Sequence, residues 1–557
     1  MTHPPLLSVS GLRVGYRISR TETFRAVHGV DFDIAAGELV SLVGESGSGK
    51  STTAHAVLGL LGERARVEGG SIRFDGAELT RLGDKQWRAI RGARIGFVPQ
   101  DPAVSLNPTR RIGEQIAQAI TLHKGRVPKD ALRQRVIDLL AKVGIDRPEL
   151  RSRQYPHQLS GGMRQRALIA TALANDPELI IADEPTSALD VTIQKQILDH
   201  IDALRRELGI AILLITHDLG VAGDRSDRIV VLESGRVVES GAPEQILAAP
   251  SAAYTRKLLA AVPQVSSGRL VWADGVVRER EPGAALPRTR EDSAILVATG
   301  LRKAFRDSGS GGDVQAVDDV SIAVPRGGTL GMVGESGSGK STLARIVTRL
   351  TDPDAGRVEF DGRDVTALRG KRLRELRRHV QLVYQNPFAS LDPRFTIGRT
   401  LTEPLRAFGI GDRPARARRV AELLDLVGLP ASFAERKPAE MSGGQRQRVA
   451  IARALASEPS LVVLDEAVSA LDVSVQAQIL ELLVRVQAEL GVSYIFISHD
   501  LAVIRQVSDD IVVMRRGRLV EAGTADRVYT TPAVDYTRAL LAAVPGGRHP
   551  HPRKVLS

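Results

Sequence analysis

The chain contains 557 residues, which is too long for a single hydrophobic core and predicts about two to four domains. Its composition, 43% hydrophobic and 25% charged residues, is that of an ordinary globular protein, and its formal net charge of +11 is compatible with an anionic partner such as nucleic acid or a membrane surface. The absence of cysteine excludes disulfides, thiolate zinc sites and cysteine-held iron–sulfur clusters.

Two further patterns concern location and partners. No apolar run approaches the roughly 18–20 residues of a membrane-spanning helix, and the first residues, Met1 to Pro5, lack the basic and apolar regions of a secretory signal. We therefore expect the protein in the cytoplasm. The basic residues are scattered and have no interleaved aromatic residues, so we expect no nucleic-acid partner.

The first motif in chain order is a glycine-rich loop after an apolar run that ends at Val43. It reads Gly44-Glu45-Ser46-Gly47-Ser48-Gly49-Lys50-Ser51, followed by Thr52. This spacing is typical of the loop whose backbone N–H groups surround the phosphates of a nucleotide. Glycine lets the loop turn tightly against the phosphate oxygens, Lys50 places a cation on the β- and γ-phosphates, and the Ser51 hydroxyl can hold Mg²⁺. The loop predicts a nucleotide site.

The next motifs precede and open a run of helices. Gln100 follows an apolar strand, and its amide can reach Mg²⁺ or the attacking water. Between Asp101 and Gln158 the apolar residues adopt helical spacing, which predicts a helical insertion. Ser160-Gly161-Gly162 then opens a helix and forms a second type of anion site. Because this half already has its own phosphate loop, the second site suits a nucleotide held by the other half.

Two further groups follow buried strands. Asp183 and Glu184 end an apolar run, where carboxylates of a parallel sheet face the nucleotide crevice. The aspartate can hold Mg²⁺, and the adjacent glutamate can orient or deprotonate the attacking water. His217 follows the next run, where its imidazole could donate a hydrogen bond to the γ-phosphate.

Every motif returns in the second half. The repeats are the phosphate loop Gly334-Glu335-Ser336-Gly337-Ser338-Gly339-Lys340-Ser341 with Thr342, the glutamine Gln385, the turn Ser442-Gly443-Gly444, the pair Asp465-Glu466 and the histidine His499. A repeat of this length with coincident motifs indicates a duplicated domain. The chain is therefore predicted to bind two nucleotides.

The repeat also sets the predicted domain boundaries, because Tyr254 to Pro263 corresponds to Tyr536 to Pro545. We place the first domain at 1–263, a linker with at most a short hairpin at 264–293, the second domain at 294–545 and a disordered tail at 546–557. The tail contains histidines, but nothing fixes their geometry, so no metal is predicted there.

In combination and in order, these motifs resemble the Walker A, Q-loop, signature, Walker B, D-loop and H-loop of ATP-binding-cassette ATPases. The resemblance covers nearly the whole chain, twice. More narrowly, the phosphate loops, Gln100-Asp101-Pro102 with Ser105-Leu106-Asn107-Pro108, and the Tyr-Thr-Arg segments resemble dipeptide and oligopeptide importer ATPases. Such importers usually have two separate ATPase subunits, and this chain resembles a D-type and an F-type subunit fused.

The resemblance implies an α/β fold of two tandem P-loop cassettes, each with a RecA-like core, an antiparallel β subdomain and a helical insertion. It implies two ATP molecules with Mg²⁺, sandwiched head-to-tail. One would lie between Ser442-Gly443-Gly444 and the set Lys50, Gln100, Asp183, Glu184 and His217. The other would lie between Ser160-Gly161-Gly162 and the set Lys340, Gln385, Asp465, Glu466 and His499. Tyr16 and Phe305 are candidates for stacking on adenine, although either could equally be a core aromatic.

The resemblance also implies a role and partners. The chain would hydrolyse ATP at the cytoplasmic face of the membrane and energise peptide uptake through two integral-membrane permease subunits with a solute-binding protein, with one copy of the chain per transporter. Two alternatives stay open: the same role for another cargo (nickel, an opine or an oligosaccharide), or a soluble tandem cassette that acts on ribosomes or DNA.

Three features depart from the family pattern. Ala467-Val468 replaces the proline and threonine that follow the first Asp-Glu pair, while the catalytic pair itself is kept. Met441 replaces the leucine of the first signature, which is a tolerable apolar exchange. Some relatives hold an iron–sulfur cluster in the C-terminal extension, and a chain without cysteine cannot do so.

Overall fold

The computed structural model describes residues 4–19, 21–187, 189–263, 265–280, 294–306, 312–385, 390–469 and 471–546. The predicted tail after Gly546 and the second part of the predicted linker lie outside the described residues. The chain divides into two compact units. One comprises Met1–Leu189 and Ile193–Val262 with Pro545 and Gly546, and the other comprises Asp190–Thr192 and Pro263–Val544.

The first unit contains two sheets. The main sheet has six strands in the order Arg236–Gly241, Arg228–Glu233, Leu39–Val43, Ala211–Thr216, Leu179–Asp183 and Ile95–Val98. Only the first pair is antiparallel. The other sheet is antiparallel, in the order Thr23–Ile34, Leu7–Arg17, Ala65–Phe74 and Ala77–Glu78.

The helices of this unit cover the main sheet and form the insertion. Their bounds are Lys50–Val57, Asp84–Ile90, Pro102–Ser105, Ile112–Lys124, Lys129–Lys142, Pro148–Arg151, Gly161–Ala172, Val191–Leu208, Leu219–Arg225, Pro243–Ala248 and Ala253–Ala261, with a 3₁₀ turn at Pro156–Gln158.

The second unit repeats this architecture. Its main sheet has the order Val380–Val383, Leu461–Asp465, Ser493–Ile497, Thr329–Val333, Asp510–Arg515 and Arg518–Thr524, and only the last pair is antiparallel. Its antiparallel sheet has the order Asp313–Pro325, Ala294–Arg306, Ala355–Phe360 and Arg363–Asp364.

The helices of the second unit also match those of the first. Their bounds are Lys340–Val347, Gly370–His379, Ile397–Ala407, Arg413–Leu426, Gly443–Leu455, Val473–Leu490, Leu501–Val507, Ala525–Thr530 and Asp535–Leu541, with 3₁₀ turns at Ala431–Glu435 and Pro438–Glu440.

The central strands explain the apolar runs of the sequence. Leu39–Val43, Leu179–Asp183 and Leu461–Asp465 are buried at every position, because both faces of each main sheet are covered: helices pack on one face, and the antiparallel sheet with the phosphate-loop helix packs on the other. Such strands consist of continuous apolar residues instead of alternating ones. Within each main sheet the parallel strands end at the same edge, where the polar motif residues of that unit follow.

The predicted helical insertion is confirmed in both units. In the helix Lys129–Lys142 the apolar stripe is buried at Val136, Leu139 and Leu140, and its counterpart in Arg413–Leu426 is buried at Val420, Leu423 and Leu424. Each stripe packs into the core of its own unit. Among the helices of the described residues, none is long and apolar enough to cross a bilayer.

Part of the predicted linker is folded. Leu270–Ala273 and Val276–Glu279 form an antiparallel hairpin that belongs to the second unit and packs against the helix Val473–Leu490. The Arg269 guanidinium lies 2.8 Å from the Asp509 carboxylate, and both side chains are nearly buried. The hairpin is therefore anchored to the second unit by an ion pair as well as by apolar contacts.

Candidate active sites

Each phosphate loop connects a buried central strand to a helix that begins at the loop lysine. Gly49 and Gly339 immediately precede these helices, with φ angles of 98° and 104°. A Cβ would lie 2.8 Å from the Ala26 carbonyl oxygen at Gly49 and 2.2 Å from the Ala316 carbonyl oxygen at Gly339. Both the backbone conformation and the close approach therefore require glycine at this point of the motif.

The loop lysines are held inside the curve of the loop. Lys50 Nζ donates to the carbonyl oxygens of Gly44 and Glu45 at 2.7 and 2.8 Å. In the second unit Lys340 does the same, with Gly334 and Glu335, at 2.7 and 2.8 Å. Both side chains are buried, and burial lowers the pKa of Lys340. Each ammonium is thus held within its loop by two carbonyl oxygens, and its predicted contact with phosphate stays a prediction.

An oxygen pair suited to a hard cation lies beside each loop. Ser51 Oγ donates to Asp183 Oδ1 at 3.1 Å, and Ser341 Oγ donates to Asp465 Oδ1 at 3.1 Å. Burial raises the pKa of both aspartates. A serine hydroxyl and an aspartate carboxylate are ligands that Mg²⁺ accepts, so the donor set fits the metal that the sequence predicts.

The glutamate after each aspartate points to a different set of partners. Glu184 accepts a hydrogen bond from Gln100 Nε2 at 2.9 Å and lies 3.1 Å from His217 Nδ1. Glu466 accepts from Gln385 Nε2 at 2.7 Å and lies 3.6 Å from His499 Nδ1. Each glutamine–glutamate–histidine group is therefore a connected set, separate from the serine–aspartate pair.

These contacts keep the glutamates ionised. Burial alone would raise the pKa of Glu184. The hydrogen bond and charge of His217, together with the charge of Lys50, lower this pKa by a larger amount, so the net pKa is below 4.5. The same balance lowers the pKa of Glu466. Burial lowers the pKa of His499, and its hydrogen bond to Glu466 raises it by more. An ionised carboxylate is the form that accepts a proton from water.

An unusual backbone conformation separates the two carboxylates. Glu184 and Glu466 have φ angles of 45° and 49°, which few residues with a side chain adopt. Their N–H groups donate to the carbonyl oxygens of Ile215 and Ile497 on the neighbouring strand at 2.9 and 3.0 Å. The turn directs consecutive side chains to different partners, and such strain is concentrated at functional sites.

The signature turns form helix starts, as predicted. Ser160 Oγ accepts from the Met163 N–H and Ser442 Oγ from the Gln445 N–H, both at 3.3 Å. These serines cap the helices Gly161–Ala172 and Gly443–Leu455. The serine caps one of the first N–H groups of each helix. The other N–H groups of the first turn have no intrahelical acceptor and suit an anion.

The two candidate adenine residues have different surroundings. The Tyr16 hydroxyl lies 3.2 Å from Thr52 Oγ1, which places it beside the first turn of the loop helix. Phe305 is 47% exposed, and the Lys303 ammonium lies 5.6 Å from its ring centroid. Both candidates stay predictions.

One contact to each loop was not predicted. The N–H groups of Glu45 and Glu335 donate to the hydroxyls of Tyr254 and Tyr536, at 3.1 and 3.2 Å. The only sequence signal for this contact is the recurrence of the Tyr-Thr-Arg segment at the end of each half, since about two hundred residues separate each tyrosine from its loop.

Comparison with known proteins agrees with this geometry. The family model described as ABC transporter matches residues 27–187 and 317–469, and the model described as Oligopeptide/dipeptide transporter, C-terminal region matches residues 238–283 and 520–555. The chain is 44% identical to the Oligopeptide transport ATP-binding protein OppD of Mycobacterium bovis, with 97% of this chain and 98% of the relative covered.

Two further relatives have the same percentage identity to this chain. The Glutathione import ATP-binding protein GsiA of Salmonella paratyphi A is 44% identical, with 99% of this chain and 92% of the relative covered. The Peptidoglycan transport ATP-binding protein YejF of Agrobacterium fabrum is 44% identical, with 97% and 96% covered. The chain belongs to the ABC transporter family. It is an ATP-binding ABC-type ATPase subunit with two cassettes, which confirms the predicted fold and enzyme class.

Proposed function

We propose that this chain powers the uptake of peptides through two separate membrane permease subunits, with a solute-binding protein, at the cytoplasmic face of the membrane. One copy would serve each transporter, because one chain already contains two sets of nucleotide motifs. The observation that supports a peptide cargo is the C-terminal region model, which matches both halves. The names of the relatives, which refer to oligopeptide, glutathione and peptidoglycan, also favour peptide-like cargo.

The site residues have distinct proposed roles in hydrolysis. Lys50 and Lys340, with the amides of their loops, bind the phosphates of ATP. Ser51 with Asp183, and Ser341 with Asp465, would hold Mg²⁺, which offsets phosphate charge when bound. Glu184 and Glu466 accept the proton of the attacking water, while the neighbouring glutamine and histidine fix each carboxylate.

Purification of the tagged chain from its native membranes tests the proposed role. The expected complex contains two permeases and one copy of this chain, and takes up labelled di- and tripeptides into proteoliposomes when ATP is on the chain's side and the solute-binding protein is added. A complex with two copies of the chain, uptake of nickel or sugars but no peptides, or co-purification with rRNA would contradict the proposal.

The pH dependence of hydrolysis should report the histidine–glutamate contacts. The pKa of both glutamates is lowered. The pH midpoint of the acid limb of the wild-type kcat/KM profile, where these bases become protonated, should therefore lie below the ordinary glutamate value of 4.5. The double substitution His217→Asn/His499→Asn removes the contact that lowers the pKa of each glutamate, so the limb should move to higher pH.

Profiles of kcat/KM against pH provide the measurement, and His157→Asn, at an exposed histidine, is the matched control. The control should keep the wild-type limb. A limb that stays in place or moves to lower pH in the double variant would contradict the assigned contacts.

A further inference from the structure

Each phosphate loop is contacted by a tyrosine from outside the nucleotide motifs. Tyr254 and Tyr536, both 8% exposed, accept hydrogen bonds from the N–H groups of Glu45 and Glu335. The carbonyl oxygens of the same two loop residues accept from the loop lysines at 2.8 Å. The second residue of each loop is therefore held on one side by tyrosine and on the other by the lysine that contacts phosphate.

The first tyrosine is itself fixed to the main sheet. It lies on the helix Ala253–Ala261, just after a segment bound by the buried carboxylate of Glu239. This carboxylate accepts from the N–H and hydroxyl of Ser251 at 2.6 and 2.7 Å and from the Ala252 N–H at 3.2 Å. A carboxylate at a helix start is favoured by the helix dipole. Because Glu239 belongs to the edge strand of the main sheet, sheet, helix and loop are connected.

The second unit contains the same connection. Glu521, in the edge strand Arg518–Thr524, accepts from the N–H groups of Ala533 and Val534 at 2.7 and 3.4 Å, just before the helix Asp535–Leu541 that carries Tyr536. Both halves of the duplicated chain keep the arrangement, from the edge-strand glutamate through the helix tyrosine to the loop, which indicates that it serves the loop.

We propose that Tyr254 and Tyr536 are positioning residues for ATP: each hydroxyl holds the N–H of the second loop residue and so sets the shape of the phosphate loop before the nucleotide binds. A glycine-rich loop has much conformational entropy to lose, and a contact that orders it beforehand reduces that cost of binding. The inference rests on the proposed assignment of the loops to ATP, and it gives the C-terminal region a role in nucleotide affinity.

The double substitution Tyr254→Phe/Tyr536→Phe tests the inference in the full chain, since it removes only the two hydroxyls and keeps both rings. We expect the KM for ATP to rise about fivefold, because a lost hydrogen bond is worth about 1 kcal/mol. The turnover number at saturating ATP should stay within about twofold, because the hydroxyls contact neither the glutamates nor the serine–aspartate pairs. Steady-state kinetics separate the two parameters.

A matched control distinguishes positioning from general stability. Tyr529→Phe removes a part-buried hydroxyl of the second C-terminal region, one that donates to the Leu501 carbonyl oxygen and not to the loop. We expect Tyr529→Phe to lower the melting temperature without changing KM. An unchanged KM in the double variant, or an equal rise in the Tyr529→Phe variant, would overturn the proposal.

A double-mutant cycle in the second unit adds a second test. Equilibrium ATP binding is measured in a Lys50→Ala background, with Tyr536→Phe, Glu521→Gln and their combination. Because both side chains act through one contact, the combined loss of affinity should equal that of Tyr536→Phe alone. Additive losses would contradict the connection. If Lys50→Ala/Lys340→Ala still bound ATP normally, the loop assignment itself would be wrong, which is a separate outcome.

Discussion

The double substitution Glu184→Gln/Glu466→Gln should reduce ATP turnover by roughly 10² to 10⁴-fold, the usual contribution of a general base. Each single substitution should impair turnover as well, because each disables one of two sites. Glutamine keeps the shape of the side chain and can still pair with the neighbouring glutamine and histidine, but it cannot accept a proton. ATP should therefore still bind, since the loop, the lysine and the serine–aspartate pair are unchanged.

Phosphate release and equilibrium ATP binding, measured on the same preparations, separate these effects. Glu178→Gln is a matched control, because Glu178 lies just before the strand whose end carries Glu184 and forms an exposed pair with Arg94 at 2.5 Å. The control should hydrolyse ATP at the wild-type rate. Wild-type rates in both single variants at the catalytic positions would refute the role of these glutamates as bases.

Lys50→Ala and Lys340→Ala should each strongly weaken ATP binding at one loop. A charge-assisted hydrogen bond contributes about 1.5–3 kcal/mol, so the affinity of the affected site should fall by roughly 10 to 150-fold from the lost phosphate contact alone. The alanine variants also lose the two bonds from each ammonium to loop carbonyl oxygens. The loop is then less ordered, which lowers the affinity further.

Calorimetric titration with ATP measures this loss, and Lys195→Ala serves as the matched control. Lys195 pairs with Asp199 on an exposed helix surface at 2.9 Å, so its removal eliminates a lysine without touching a loop. Wild-type affinity and stoichiometry in the Lys50→Ala variant would show that the first loop does not bind the nucleotide.

Features that depend on local sequence were predicted correctly. The buried strands and the helices that open at Ser160-Gly161-Gly162 and Ser442-Gly443-Gly444 follow from apolar runs and from residue types over a few positions. The apolar stripes of the insertion helices were predicted by the same reasoning, since spacing along one helix determines which residues share a face.

Features that depend on contacts between distant segments were harder to predict from the sequence. The structure places the Gln100 and His217 side chains on Glu184, contacts that the sequence did not suggest, while the predicted contacts of Gln100 with Mg²⁺ or water and of His217 with the γ-phosphate stay predictions. Residue types define which bonds are possible but not which partner lies nearest. For the same reason, the contact of Tyr254 with Glu45 could not be derived from either local segment.

The linker shows the same limit. Its composition, rich in arginine, glutamate, proline and glycine, favours a flexible connection. The described part contains a short hairpin, which the prediction allowed, and its apolar residues Leu270, Trp272 and Val277 pack against the core of the second unit, which the sequence did not suggest. Strands of only four residues give a weak pattern, and their order comes from the surface that they cover.

The central claim is that one polypeptide carries two complete ATP sites, and the binding stoichiometry of the Glu184→Gln/Glu466→Gln variant tests it most directly. With hydrolysis prevented, titration of the monodisperse double variant with ATP and Mg²⁺ should give two nucleotides per chain. Each triple variant, which also carries either Lys50→Ala or Lys340→Ala, should bind one. One nucleotide per chain in the Glu184→Gln/Glu466→Gln double variant, or two per chain in this variant and in both triple variants, would contradict the account.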